Sequence, residues 1–243
     1  METIAQVYDL DGKVAYWNVD RDQLLTLRSL FEFLQEAAIK HADQCGAGSR
    51  AKEDRGETWV LRTMAVSVHR YPHYEEPLRV ATWSSGIRGF KGFRDFRAYC
   101  GGELVASASS VWLYINLRAK AIGRVPAEVA KGFPSRPQEV FRPDLERLWI
   151  EPPGDGCAAR EVSVRYSDFD GNGHVNNTAY VDFLQTALEA GGYAPRPLEL
   201  QIEYLKEIPP GTDSVTVRLE ARERGVGFAL ASGAVLFAKG TAA

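Results

Sequence analysis

Asp170, Asn172 and His174 stand at alternate positions of one polar segment, Tyr166-Ser167-Asp168-Phe169-Asp170-Gly171-Asn172-Gly173-His174-Val175-Asn176-Asn177. Alternate residues of a partly extended chain project to the same side, so a carboxylate, a carboxamide and an imidazole would converge. The run Glu161 to Tyr166 leads in as a strand. A helix leaves through Tyr180, Phe183, Leu184, Ala187 and Leu188, which recur at helical spacing. Three polar groups of different chemistry would thus meet beside the free N–H groups of a helix N-terminus, a natural place to stabilise an oxyanion. The combination points to chemistry at a carbonyl.

Two other readings of the same residues stand beside it. Asp168-x-Asp170-x-Asn172-Gly173 matches the opening of an EF-hand calcium loop, but the twelfth position is Ala179 where a bidentate Glu is needed. The segment before it also alternates like a strand, whereas an EF-hand enters from a helix. The plainer alternative is a polar turn, with Asn176 or Asn177 as N-cap and the glycines supplying positive φ.

The elements that must hold these residues appear twice. A helix carrying Leu27, Leu30, Phe31, Leu34 and Ala38 on one face stops at Cys45-Gly46, and it contains Phe33-Leu34-Gln35; Phe183-Leu184-Gln185 takes the same place in the second helix. Each helix is followed by strands. These run Trp59 to Tyr71, Leu78 to Ser84, Phe90 to Tyr99 and Leu104 to Asn116 in the first half. In the second they run Leu198 to Lys206, Ser214 to Arg222, Gly227 to Ala231 and Ala234 to Lys239. Proline breaks fall in matching places, at Tyr71-Pro72 and Pro77 and again at Pro209-Pro210. The architecture expected is α+β: two units, residues 1–131 and 158–243, each a long helix wrapped by a mainly antiparallel sheet. The Pro- and Gly-punctuated segment 132–157 would join them as a pseudo-dimer.

Composition excludes several classes. The chain has 243 residues, 45% hydrophobic and 25% charged, with a formal charge of -3, which describes an ordinary globular protein with no bias toward nucleic acid. It has no apolar run of 18 residues for a membrane span, and Met1 to Gln6 lacks the basic and apolar regions of a signal peptide. Cys45, Cys100 and Cys157 are odd in number and scattered, which argues against a disulfide framework or a zinc site. A cytoplasmic protein without metal or cofactor is the expectation.

These residues resemble the acyl-ACP thioesterases of fatty acid synthesis, which are double-hotdog proteins. The resemblance covers nearly the whole chain. Asp170-x-Asn172-x-His174-Val175-Asn176-Asn177-x-x-Tyr180 is similar to the family's active-site signature. Phe33-Leu34-Gln35-Glu36-Ala37-Ala38, with His41-Ala42 beyond, resembles its N-terminal helix, and Trp83 through Arg94-Asp95-Phe96 its central strands. Glu203-Tyr204-Leu205-Lys206-Glu207 resembles the strand that delivers the last catalytic residue. The resemblance implies Asp170, Asn172, His174 and Glu207 as catalytic residues. Some members carry a Cys after that Glu, once taken as nucleophile; here the position is Ile208, and no Cys lies in either motif.

The chemistry agrees with a carboxylate mechanism. A thiol leaving group has a pKa near the ~8.5 of free Cys, so no strong general acid is required. Glu207 is expected as general base or direct nucleophile. Asn172 would orient water or thioester, His174 would bond the carboxylate or the thioester, and Asp170 would hold both in position. The backbone N–H groups of Asn176, Asn177 and Thr178 are expected to receive the oxyanion. Without the resemblance, Glu207 reads as a solvated strand-end acid, His41 as a packed or exposed helix residue, and His69 and His73 have no role.

In the family the N-terminal unit houses the acyl chain, which makes the apolar faces of Leu27 to Ala42 and Trp59 to Val68 the expected lining. Arg88, Lys91, Arg94, Arg97, Arg118, Lys120 and Arg124, against only Asp95 and Glu103, form a local excess that could steer an acidic acyl carrier protein. The expected function is hydrolysis of fatty acyl-ACP. Hydrolysis of acyl-CoA and a non-catalytic acyl-binding module are the alternatives, and a homodimer is admissible.

Overall fold

The computed structural model describes residues 6–119, 121–147, 149–154 and 156–243. The N-terminal half runs β1 (Tyr8–Lys13), a one-turn 3-10 helix (Tyr16–Asn18), α1 (Leu27–Gln44), α2 (Ser49–Arg55), β2 (Glu57–Val68), β3 (Pro77–Arg88), β4 (Lys91–Cys100), β5 (Glu103–Asn116), β6 (Ala121–Ile122) and α3 (Ala127–Lys131). After a turn at Leu145–Arg147, the C-terminal half runs β7 (Ala158–Ser163), a 3-10 turn (Tyr166–Asp168), α4 (Asn177–Ala190), β8 (Glu199–Tyr204), β9 (Ser214–Ala221), β10 (Val226–Ser232) and β11 (Val235–Ala242).

One sheet unites them, in the order β1-β3-β4-β5-β2-β8-β11-β10-β9-β7, with β6 paired to β5. Read from the seam outwards, the two halves are copies: β2, β5, β4, β3, β1 on one side and β8, β11, β10, β9, β7 on the other. The seam is antiparallel, with Thr63 to Ser67 opposite Glu203 to Glu199. Alternating burial along β8 and β9 turns one face of the sheet toward the helices. A single core runs through both halves, from Leu30, Phe31 and Leu34 of α1 to Tyr180, Phe183 and Leu184 of α4. The expected α+β pair of helix-and-sheet units is the observed architecture.

The two helices start alike. Thr26 caps α1 by accepting the Ser29 N–H at 3.1 Å, and Asn176 caps α4 by accepting the Thr178 N–H at 2.9 Å. The corners before them are geometric copies. Asp20 N–H donates to the Leu24 carbonyl at 2.9 Å, as Asp170 does to His174 at 3.0 Å; Thr26 donates to the Asn18 carbonyl at 2.9 Å, as Asn176 does to Asp168 at 2.8 Å. Gln23, with φ of 61°, sits where Gly173 has φ of 81°, so the left-handed turn persists even where the glycine is gone.

Several features depart from the sequence reading, beginning with the strand expected from Trp59 to Tyr71, which ends at Val68. The strand expected from Glu161 to Tyr166 lies earlier, as β7, and Tyr166 begins a 3-10 turn instead. The strand expected to reach Lys206 ends at Tyr204. β1, α2, β6 and α3 were not expected from periodicity. Beyond α3 the chain crosses the sheet's outer face: Leu145 packs on Ala65 and Val111, and Phe141 N–H donates to Asp95 at 2.9 Å.

Candidate active site

The corner before α4 places three of the four expected residues, and a buried tyrosine places the fourth. Asp170 accepts the Asn172 backbone N–H at 2.8 Å through one carboxylate oxygen and the Asn172 side-chain amide at 3.1 Å through the other. Its backbone bond to the His174 carbonyl closes the turn. His174 is thereby turned toward Glu207, and His174 Nε2 stands 3.2 Å from Glu207 Oε2.

Glu207 lies beyond the end of β8, and its backbone is held from both sides. The Tyr180 hydroxyl donates to the Lys206 carbonyl at 3.1 Å and accepts the Ile208 N–H at 2.9 Å. Val175 N–H then donates to the Ile208 carbonyl at 3.2 Å, tying the Glu207 segment to the corner. Tyr180 is 1% exposed, and burial pushes its hydroxyl far up, so it remains a protonated strut. Tyr204 packs edge-on against it at 5.4 Å and donates to the Asn177 carbonyl at 3.1 Å.

The expected oxyanion donors are sorted by their partners. Asn176 N–H is taken by Asp168 O and Thr178 N–H by the Asn176 side chain, which removes both from that role. Asn177 N–H is the one of the three that no acceptor among the described residues takes.

Asp168 is structural. Its buried carboxylate accepts from the Arg165 backbone and guanidinium at 2.7 and 2.9 Å and from Arg28 of α1 at 3.1 Å. These guanidinium bonds fill the group that would open a calcium loop. Among the described residues no cluster of three His, Cys, Asp or Glu is placed to hold a metal ion.

A cavity of about 1130 Å3 has Asp170, Asn172, His174 and Glu207 in its wall. It runs into the N-terminal half between Gln35, Ala38, Ile39 and Ala42 of α1 and Trp59 to Leu61 of β2, continuing to Phe93, Trp112 and Phe133. Only part of the expected lining faces the slot: Ala38 and Ala42 of α1 and Trp59 to Leu61 of β2 do, whereas Leu27, Leu30, Phe31 and Leu34 of α1 and Met64, Val66 and Val68 of β2 lie in the core instead. Gln35 and Lys52 are among the lining residues to which the sequence reading gave no place in the slot. Gln35 carries a signal, the Phe-Leu-Gln repeat; its counterpart Gln185 accepts the Leu27 N–H at 3.1 Å. Lys52, whose Nζ donates to Asn172 Oδ1, carries none.

Of the basic set, one residue lies inside and others are already paired. Arg94 is buried in the slot wall, hydrogen-bonded to Thr82 at 3.1 Å and in contact with His41 Nδ1 at 2.8 Å; desolvation pushes it down to about 10. Arg88 and Lys91 both bind Glu146, and Arg97 stacks over Trp83. Arg118 and Arg124 are exposed. Lys120 lies outside the described residues. His41 is buried between Tyr8 and Phe133. Cys45 and Cys100 are buried too, and burial raises each thiol to about 11.

Comparison with known proteins gives this geometry its relatives. Residues 5–133 match the acyl-ACP thioesterase N-terminal domain and residues 155–231 the acyl-ACP thioesterase C-terminal domain. A chloroplastic palmitoyl-acyl carrier protein thioesterase of Gossypium hirsutum is 29% identical over 86% of this chain and 53% of its own length. A chloroplastic dodecanoyl-[acyl-carrier-protein] hydrolase of Cinnamomum camphora is 28% identical over 79% of this chain and 53% of its own. The chain spans about half the length of the curated relatives it matches. The fold is shared with an acyl-ACP thioesterase from Bacteroides thetaiotaomicron (TM-score 0.82, 21% identity, 98% of this chain and 97% of that one). It is also shared with the 12:0-ACP thioesterase from Umbellularia californica (TM-score 0.83, 19% identity, 100% and 98%). With both halves matched in order, the chain belongs to the acyl-ACP thioesterase family.

Proposed function

We propose that this protein hydrolyses fatty acyl thioesters borne by acyl carrier protein, releasing the free fatty acid and the carrier thiol. The observation that carries the reading is the His174–Glu207 contact at 3.2 Å in the wall of a slot lined by aromatic and aliphatic side chains. Glu207 takes a proton from water as the oxygen attacks the thioester carbon, with His174 sharing that proton through their contact. The carbonyl oxygen becomes an oxyanion facing the Asn177 N–H at the start of α4. Collapse breaks the C–S bond, and the thiolate leaves as a stable anion or collects the proton. Asn172 orients water or thioester, and Asp170 fixes Asn172 and the turn that carries His174. In this reading residues 1–131 house the chain, 158–243 carry the catalytic groups and 132–157 join them.

Acyl-CoA is the second reading, favoured by the burial of Arg94 and the pairing of Arg88 and Lys91 with Glu146, which leave less free positive charge for an acidic carrier among the described residues. Both substrates end in the same phosphopantetheine arm. Among the described residues no helix is long and apolar enough to cross a membrane; a cytoplasmic setting is part of this proposal. A homodimer is not required, because the internal duplication already supplies the paired units. Matched C8 to C18 acyl-ACP and acyl-CoA panels test the function, with Glu207→Gln as control. The variant should lower kcat by roughly 10²–10⁴, the contribution of a positioned acid or base. Near-wild-type turnover in it would sink the mechanism, and kcat/KM favouring CoA across the panel would select the second reading.

A further inference from the structure

Besides Arg28, which crosses to Asp168, two cations cross between the halves onto equivalent places of the other half's corner. Arg196, between α4 and β8, reaches Asp20 at 2.5 Å and Asp22 at 2.8 Å. Lys52, on α2 between α1 and β2, reaches the Asn172 side-chain oxygen. The corners are copies to the level of single bonds: Asp22 N–H donates to Asp20 at 2.9 Å as Asn172 N–H donates to Asp170 at 2.8 Å. Asp22 and Asn172 therefore occupy equivalent places.

The copies differ in charge. At the N-terminal corner two carboxylates neutralise the guanidinium, Leu24 replaces the imidazole, and the place before Pro72 that corresponds to Glu207 is filled by buried Tyr71. That corner is locked and has no chemistry. At the C-terminal corner Lys52, the counterpart of Arg196, meets a neutral amide, and no carboxylate among the described residues pairs with it. Lys52 lines the same cavity as Asn172, His174 and Glu207.

We propose that Lys52 is a positioning residue of the thioester site, acting through Asn172. A carboxamide has one acceptor oxygen and two N–H donors. Lys52 takes the oxygen and Asp170 takes one N–H at 3.1 Å, so a single N–H remains, with its direction fixed, to meet water or the thioester. Without Lys52 the amide is held by the Asp170 bond alone and can swing about it, so the remaining N–H loses its fixed direction. The N-terminal unit thus contributes to the catalytic corner as well as the slot, a role that rests on the thioesterase reading above.

The test is steady-state kinetics of Lys52→Met, Lys52→Gln and Lys52→Arg on acyl-ACP and on an acyl-N-acetylcysteamine thioester, which carries no phosphate. Lys52→Met should lower kcat about 10- to 100-fold on both substrates with KM within about twofold. Lys52→Arg, which can still donate to the amide oxygen, should recover most of it. In an Asn172→Ala background Lys52→Met should cost nothing further. A raised KM confined to acyl-ACP would overturn the proposal, since Lys52 would then bind the carrier's phosphate; so would an undiminished effect in the Asn172→Ala background. Lys52 is half-exposed, and if Lys52→Met misfolds by circular dichroism, Lys52→Ala carries the same comparison, while Lys52→Gln, which keeps an N–H donor without the charge, should fall between Met and Arg. A wild type inactive on both thioesters defeats the thioesterase reading itself, whereas an active wild type with an unaffected Lys52→Met defeats only this proposal.

Discussion

Glu207 reaches His174 only because Tyr180 holds the peptides on either side of it. Tyr180→Phe removes both bonds and leaves the buried Ile208 N–H without an acceptor, at a cost of about 1–3 kcal/mol. Because Tyr180→Phe keeps the aromatic ring in the cavity wall, kcat should fall about 10-fold with KM unchanged, as expected for displacing the group proposed as the base. Steady-state kinetics alongside thermal melts check it, and an unchanged kcat would show that Glu207 needs no such strut. Asp170, Asn172 and His174 were legible in the sequence because one turn carries them all. Glu207 is separated from them by a helix and a strand, and only the resemblance to the family singled it out. The N–H groups proposed to receive the oxyanion were narrowed only by the structure: a helix N-terminus offers several, and which of them the cap and the preceding turn consume depends on geometry that spacing does not encode. Lys52 was illegible, since nothing in a charged helical turn on the N-terminal half says that its side chain ends at residue 172.

At the scale of elements, the slot exists because a strand passes a tryptophan without a side chain of its own. A Cβ on Gly92 of β4 would lie 2.9 Å from Trp59 Cζ3 on β2, and Trp59 is braced edge-on by Tyr114 at 4.9 Å and Phe133 at 6.1 Å. Gly92→Val should therefore push the indole into the cavity and shorten the accepted chain. Relative to C8, kcat/KM on C16 substrate should drop about 10-fold or more, since one methylene in an apolar pocket is worth 10–200-fold. A flat chain-length profile in the variant would place the acyl chain elsewhere. Long elements with a clear apolar period, α1, α4 and the central strands, were read nearly to their ends. The short ones were missed for identifiable reasons. α2 reads Ser-Arg-Ala-Lys-Glu-Asp-Arg and has no apolar stripe, and β1 is an edge strand with mostly exposed residues and so lacks strong alternation; β7, equally exposed, was found but placed a few residues late. The Asp20 corner was legible and overlooked, because Tyr16 and Asp20 keep the spacing of Tyr166 and Asp170 although the residues between them changed.

Over the whole molecule, the halves are fused by a shared core, a shared sheet and charges that cross between them. Asp168 is one such tie. Burial alone would raise its carboxyl, but the bonds from Arg165 and from Arg28 of the other half hold it below its ordinary range. A carboxyl depressed in the folded state contributes stability at pH above its unfolded value of ~3.9, and that contribution is lost as pH falls through the folded value. Asp168→Asn should thus cost about 2–3 kcal/mol at neutral pH and much less in acid, which urea midpoints at pH 7 and pH 3 would show. Equal losses at both would mean that shape, not charge, matters there. The larger consequence concerns the seam. β8 pairs with β2 on one side and β11 on the other, so residues 158–243 expressed alone would expose the β8 edge and the face of α4 that packs on α1. The duplicated topology supplies a substitute for the missing half, namely a second copy of the same unit related as the two halves are now. The isolated unit should accordingly sediment as a dimer or aggregate rather than as a folded monomer. It should also be inactive even when dimeric, since the cavity walls from α1, β2 and Lys52 are gone while Asp170, Asn172, His174 and Glu207 remain. A stable, monodisperse monomer by analytical ultracentrifugation would show that the seam is only a contact between independent units, and turnover by that unit would show that the N-terminal half is dispensable to the chemistry.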